Sequence, residues 1–240
     1  MEQESIMTIL DECASTNSAI PADAPHGHTV MARSQSAGRG QRGASWEAEP
    51  GRNVTMSVLL RPAGIDVTAQ FSISMAAALA VAMTLDDYQI QDAKVKWPND
   101  IYVGNRKICG ILIENSLAGR AIARSIVGIG LNVNQTEFRS PAPNPVSMAQ
   151  IAGREFPVER IALRIRTHLM NLLHDPGLAA AYRSRLWRGS GIWQWITADG
   201  RRFSGAIDSV LPSGHIVIAG HTFAFKEVWP ADLRDPSRHD

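Results

Sequence analysis

Apolar and polar positions along this chain follow two periods, and the order in which they appear predicts a mixed α/β fold. Thr8-Ile9-Leu10, Thr29 to Arg33 and Asn53 to Leu60 are short β-prone runs bounded by turn residues. From Thr68 to Leu85, Phe71, Met75, Leu79, Ala82 and Met83 fall on helical spacing among many alanines. That run predicts a core helix whose small residues permit close packing. In Lys94-Val95-Lys96-Trp97 the period drops to two, the pattern of a strand with one dry and one wet face. The run continues to Val103, meets Gly104-Asn105, a two-residue turn signal, and returns through Arg106 to Glu114. A hairpin is expected there, with Lys96 and Asn99 on the outgoing arm and Lys107 just past the turn. Ala121 to Val133 reads as a further strand, and Val158 to Leu173 and Leu178 to Trp187 as two amphipathic helices. Residues 135 to 146, rich in Pro, Asn and Ser, read as a loop.

The pattern changes at Gly189-Ser190-Gly191. Beyond it, Ile192 to Thr197, Arg202 to Val210, His215 to Ala219 and Thr222 to Val228 are short β-prone runs separated by tight turns. Four or five such strands suit a small barrel, too small for a large core of its own. Contact with the main body is expected through Trp193, Trp195 or Trp229. The boundaries drawn are 1–188 and 189–235, with Pro236 to Asp240 a loose tail.

Composition narrows the function classes. Lys and Arg number 24 against 23 Asp and Glu, so a net charge of +1 gives no overall pull toward nucleic acid or membrane. Any basic chemistry has to be local. Cys13 and Cys109 show no paired or metal-ligand spacing, which fits reduced thiols and a cytoplasmic setting. No uninterrupted apolar run is long enough to cross a bilayer, and no signal-peptide pattern opens the chain. The histidines show no ligand spacing and none is assigned to a metal.

Candidate chemistry begins at Gly38-Arg39-Gly40-Gln41-Arg42-Gly43-Ala44-Ser45-Trp46. Glycines allow close backbone approach, so amide N–H groups can converge on anionic oxygens while guanidinium groups neutralise charge. The Gly-Lys-Ser/Thr order of a phosphate-binding Walker loop is missing. Alone, this loop fits an ordinary surface connection equally well. The Lys94 to Glu114 hairpin alone fits a solvated edge whose lysines deter pairing. Ser15-Thr16-Asn17 alone is a common helix-capping string, Trp97 suits a core ring, and Gly130 with Asn132 would make a tight bend.

In order along the chain, however, Ser15-Thr16-Asn17, the Gly-Arg-Gly loop ending in Trp46, Lys96-Trp97-Pro98-Asn99-Asp100 with Lys107 before Gly110-Ile111-Leu112, and Gly128-Ile129-Gly130-Leu131-Asn132 make the chain resemble the biotin protein ligase family. The resemblance implies an α+β fold: a mixed-sheet, class II synthetase-like catalytic domain followed by a small SH3-like β-barrel. It implies that biotin and ATP, with Mg²⁺, give biotinyl-adenylate and pyrophosphate, and that a lysine of a biotin carboxyl carrier protein or domain then takes the biotinyl group. Ser15, Thr16, Asn17, Gln35, Arg39, Gly40, Gln41, Lys107 and Gly110 would contact biotin. Arg39, Arg42, Trp46, Lys96, Asn99, Lys107 and Asn132 would serve ATP, and Lys107, Arg39 and Arg42 would act in catalysis. Asp100 is left between metal ligand and brace of the turn; no other side chain is assigned to a metal.

One departure concerns charge: many family members carry a second arginine where Gln41 stands. If Gln41 already carries the needed contacts, Gln41→Arg is expected to change adenylate release little, checked by rapid mixing with labelled adenylate; a large change would refute it. The glycine loop is expected to be mobile without ligand and to close over the adenylate. With fourteen residues ahead of Ser15, no DNA-binding domain and no operator binding are expected. Monomer and homodimer stay open. A lipoate- or octanoate-transferring enzyme and a non-enzymatic peptide-binding adapter are the alternative readings.

Overall fold

The computed structural model describes residues 6–139 and 144–233, without the side chain of Arg42. The expected tail from Pro236 therefore lies outside the described residues. The chain runs β1 (Met7–Cys13), α1 (Thr16–Ala19), β2 (Thr29–Gln35), β3 (Val54–Leu60), α2 (Phe71–Asp87), β4 (Ala93–Lys96), β5 (Asp100–Val103), β6 (Arg106–Ala118) and β7 (Ala121–Leu131). Then come α3 (Met148–Ala152), α4 (Val158–Leu172), α5 (Leu178–Ser184), β8 (Trp193–Thr197), β9 (Arg202–Gly205), β10 (Ile207–Val210), β11 (Ile216–Ile218), β12 (His221–Phe223) and β13 (Val228–Pro230). Short 3₁₀ turns lie at Gln41–Gly43 and Val67–Ala69.

The first seven strands form one mixed sheet in the order β1-β2-β3-β7-β6-β5-β4, parallel between β1 and β2 and antiparallel elsewhere. The helix α2 packs beneath it with α4 and α5. Its Ala76, Ala77, Ala78, Ala80 and Ala82 are all fully buried, which brings backbones close, as its composition predicts. Residues Val67–Asp87 are apolar and long enough to span a membrane by composition, yet most of this segment is buried inside the fold as the central core helix. Leu79, Leu85, Ile101, Ile108, Val127 and Leu131 belong to the same continuous apolar cluster.

The outgoing arm expected between Lys94 and Val103 is not one strand. It folds into β4 and β5, which pair with each other so that Lys96 faces Asp100. Pro98 is the cause: it has no N–H for the ladder and a fixed φ, so the chain turns at Trp97-Pro98-Asn99, where the X–Pro bond is cis. The predicted return past Gly104-Asn105 is found as the β5–β6 hairpin, with Gly104 at a positive φ of 59°.

After residue 189 the chain forms two three-stranded antiparallel sheets, β10-β11-β12 and β13-β8-β9. The run expected from Arg202 to Val210 as one strand breaks at Ala206 into β9 and β10. Trp195, Ile207, Ile216, Ile218, Phe223 and Val228 join the main core cluster rather than forming a separate one. Of the three tryptophans expected to tie the parts together, Trp193 is 39% exposed and donates to Ser190 O, and Trp195 donates to Gly205 O within its own sheets. Trp195 does join the core shared with the main body, and further ties come from the main body itself. Trp97 Nε1 donates to Gly214 O at 2.9 Å, its ring meets Phe225 edge-on, and Phe71 N donates to Pro212 O.

Candidate functional site

Strand alternation decides which side chains leave the sheet on the face away from α2 and α4. Thr55 and Ser57 of β3 pair with Gly130 and Gly128 of β7, which pair in turn with Gly110 and Leu112 of β6. That face is therefore paved with glycines and small hydroxyls, and the missing side chains leave room. A Cβ on Gly130 would lie 2.3 Å from the Trp46 ring, and one on Gly128 2.4 Å from Asn17 Oδ1. The expectation of a bend at Gly130 and Asn132 is corrected accordingly. Gly130 lies within a regular strand, where its lack of a side chain admits Trp46.

Over this floor stands a cavity of about 310 Å³. Its walls include Ser15, Thr16, Asn17, Gln35, Arg39, Gly40, Gln41 and Trp46 from the first part of the chain, and Lys96, Asn99, Asp100, Lys107, Gly110 and Gly130 from the second. Segments far apart in sequence thus meet at one place. The Gly38 to Trp46 loop is a small hairpin in its own right: Trp46 N donates to Gly38 O, Gly40 N to Ala44 O, and Arg39 bridges Ser45. Gly38 is needed there, since a Cβ would sit 2.5 Å from Trp46 O. The Trp46 ring lies over the floor with Lys107 Nζ 5.9 Å from its centre, and its buried Nε1 has no partner, leaving a donor for a ligand oxygen.

At one end of the cavity the polar groups form a continuous hydrogen-bond chain. Gln35 Oε1 accepts from Thr16 N at 2.8 Å. Ser57 Oγ lies 2.8 Å from Thr16 Oγ1 and donates to Asn17 Oδ1 at 2.6 Å, and Asn17 Nδ2 donates to Glu114 at 2.6 Å. Glu114 also holds the Arg39 guanidinium through contacts of 3.2 Å to each carboxylate oxygen. Arg39 reaches Ser18 as well. Ser15 precedes α1 but makes no side-chain cap bond, so capping is not its role. Neither Ser57 nor Glu114 stands among the residues singled out in the sequence. The available signal was the polar Thr55 and Ser57 alternating within the otherwise apolar run of β3.

At the other end lie the cations. Lys107 Nζ is 2.7 Å from Asp100 Oδ1, so Asp100 neutralises the lysine from the neighbouring strand. The contact is an ion pair, and the three-donor ammonium keeps capacity to bind a ligand oxygen. Lys96, half-buried, stands 5.2 Å over the Tyr102 ring. Its amine is pushed below the ordinary lysine value, first by burial and then by Lys107 and Arg188, against the opposing pull of Asp100. Burial likewise pushes the Cys109 thiol up, so it behaves as an apolar residue. Asn99 Nδ2 donates to Ile111 O, fixing the turn between β4 and β5.

One residue named from the sequence is not brought into the cavity. Asn132 is buried, donates through Nδ2 to Val146 O and lines no part of the cavity; its amide holds the segment after residue 144 instead. The side chain of Arg42 lies outside the described residues. For a metal, the donor set is poor: among the described residues no three His, Cys, Asp or Glu side chains cluster. Asp100 and Glu114 each already face a cation.

Residues 12–132 match the Biotin/lipoate A/B protein ligase family, and the chain belongs to it. The Bifunctional ligase/repressor BirA of Bacillus subtilis is 37% identical over 136 residues, 55% of this chain and 42% of that protein, so the match spans less than half of the relative. The Biotin--[acetyl-CoA-carboxylase] ligase of Mycobacterium tuberculosis is 30% identical over 194 residues, 75% of this chain and 70% of the relative. Among solved structures, the biotin protein ligase from Aquifex aeolicus in complex with biotin and ATP shares the fold with a TM-score of 0.79 at 20% identity, covering 94% of this chain and 99% of that one.

Proposed function

We propose that this protein is a biotin protein ligase: it joins biotin to AMP at the expense of ATP and passes the biotinyl group to a lysine of a biotin carboxyl carrier domain. The observation that carries this reading is the meeting of Arg39, Lys96 and Lys107 with Thr16, Asn17 and Gln35 in one cavity, the amide and hydroxyl groups of the latter backed by Ser57. The amide and hydroxyl end suits a neutral cyclic urea, which both donates and accepts. Ile111, Trp46 and the glycine floor offer dry walls for an apolar bicycle and its aliphatic chain. The cationic end suits a carboxylate facing a polyphosphate.

The chemical difficulty is repulsion between two anions, and fixed cations offset it where charge concentrates. The biotin carboxylate attacks the α-phosphorus, the bond from that phosphorus to the oxygen bridging the β-phosphate breaks, and pyrophosphate leaves. Lys107, oriented by Asp100, is placed to hold the carboxylate and then the acyl-phosphate oxygens. Lys96 contributes charge from β4, on the far side of β5. Magnesium enters this account with the substrate, as MgATP, because the protein carboxylates nearby are already paired. The two C-terminal sheets supply Phe225, Val228 and Trp229 to the cavity wall, the part that an SH3-like barrel would play.

Biotin-dependent exchange of pyrophosphate into ATP tests this. Wild type is expected to catalyse it, and Lys107→Ala to lower the rate by about 100- to 1,000-fold, the cost of removing one preorganised charge-stabilising group. Exchange driven by lipoate or octanoate but not by biotin would overturn the reading in favour of acyl transfer of that kind.

A further inference from the structure

A second cavity, of about 330 Å³, lies beside the first, between the start of α2, the far half of β6 and the turn leading into β11. The two share Gln41, Pro98, Asn99, Ile111 and Phe225, so they adjoin along these side chains. Their electrostatics differ. The first has cationic walls, whereas among the described residues the second carries no Lys, Arg, Asp or Glu. Its polar lining consists of amides and hydroxyls, Gln70, Ser74, Asn115 and Ser213 among them, and His215 is its one titratable side chain. Phe71 and Ile113 complete it with apolar surface.

Building on the ligase reading, we infer that this second cavity admits the aminoalkyl side chain of the acceptor lysine and delivers its nitrogen to the acyl-adenylate in the first. A four-carbon stem matches the apolar surface of Phe71 and Ile113, and amide oxygens accept N–H bonds from the ammonium head. The first cavity, by contrast, repels an ammonium. That repulsion is useful at the boundary, because like charges favour the neutral amine, the form that attacks. The amine nitrogen then attacks the acyl carbon, the new C–N bond forms, the bond from carbon to the phosphate oxygen breaks, AMP leaves with the electron pair, and the ammonium's protons pass to water.

Plugging the second cavity tests the route, with Ser74→Trp from the first turn of α2 and Ser213→Trp from the exposed turn opposite. Two rates are read for each: biotin-dependent pyrophosphate exchange, and transfer from preformed biotinyl-adenylate to the apo biotin carrier domain of an acetyl-CoA carboxylase. The expected result is transfer slowed by about 10- to 100-fold, the scale of a misplaced reacting group, with exchange within about twofold of wild type. Unchanged transfer in both variants overturns the route and leaves the ligase reading standing. Equal loss of both rates in Ser213→Trp also overturns it, since the cavity would then serve adenylation. Absence of exchange in wild type overturns the ligase reading and this inference with it.

Discussion

Gly128 and Gly130 carry more of the site than any charged residue, because they decide whether the other groups fit. Each stands where a methyl group would collide with a cavity component, but the two neighbours differ. Trp46 belongs to a partly exposed loop that can shift. Asn17 is buried between Ser57 and Glu114 and cannot. Gly130→Ala is therefore expected to weaken biotin binding in titration calorimetry while leaving the melting temperature nearly unchanged. Gly128→Ala is expected to weaken binding and also to lower stability by about 1–3 kcal/mol, the usual cost of overpacking. A Gly128→Ala protein as stable and as tight-binding as wild type would contradict the arrangement. The expectation for Gln41→Arg gains a structural setting, since Gln41 lies at the tip of the loop hairpin and lines both cavities.

Among the elements, helices and long strands were legible in the sequence and the β4–β5 turn was not. The alanine-rich run from Thr68 shows its period directly and became α2, although its first residues form a separate 3₁₀ turn capped by Asp66. Period-two alternation continues on both sides of Trp97-Pro98, so alternation alone joins what proline separates. The short helix α3 follows the Pro-rich stretch and was assigned to no element in the sequence. It is held by a capping box between Ser147 and Gln150 and ends at Gly153 with φ of 67°. Asp66 gives a test at this scale. Its carboxyl is drawn down to about 2, first by the Thr68 backbone N–H, then by the Thr68 hydroxyl and Arg120. A depressed folded-state value means that the contribution is fully present above the ordinary value of 3.8 and is lost as pH falls toward 2. The difference in melting temperature between wild type and Asp66→Asn should accordingly shrink through that interval. A difference constant with pH would sink the assignment.

For the whole molecule, the boundary drawn at residue 189 separates sheets but not cores. Trp195, Ile207, Ile216 and Phe223 share one apolar cluster with α2 and the large sheet, and Trp97 and Phe71 bond across the junction. Continuous burial couples the two parts, so they are expected to unfold together. In urea, tryptophan fluorescence and far-ultraviolet circular dichroism should then give coincident transitions. Two resolved transitions would show that the C-terminal sheets fold independently of the rest.

The chain's own order of residues determined the elements with clear period, the glycine and arginine make-up of the Gly38 to Trp46 loop and the string of motifs that marks the family. Each of these is written in neighbouring residues, where spacing is visible. Only the tertiary structure decided that Glu114 joins Arg39 to Asn17, that Asp100 braces Lys107, that Asn132 serves a backbone carbonyl instead of the cavity, and that a second cavity with amide and hydroxyl lining adjoins the first. Those pairings link positions up to 97 residues apart. They depend on strand register and on the space that a missing side chain leaves, and no local pattern encodes either.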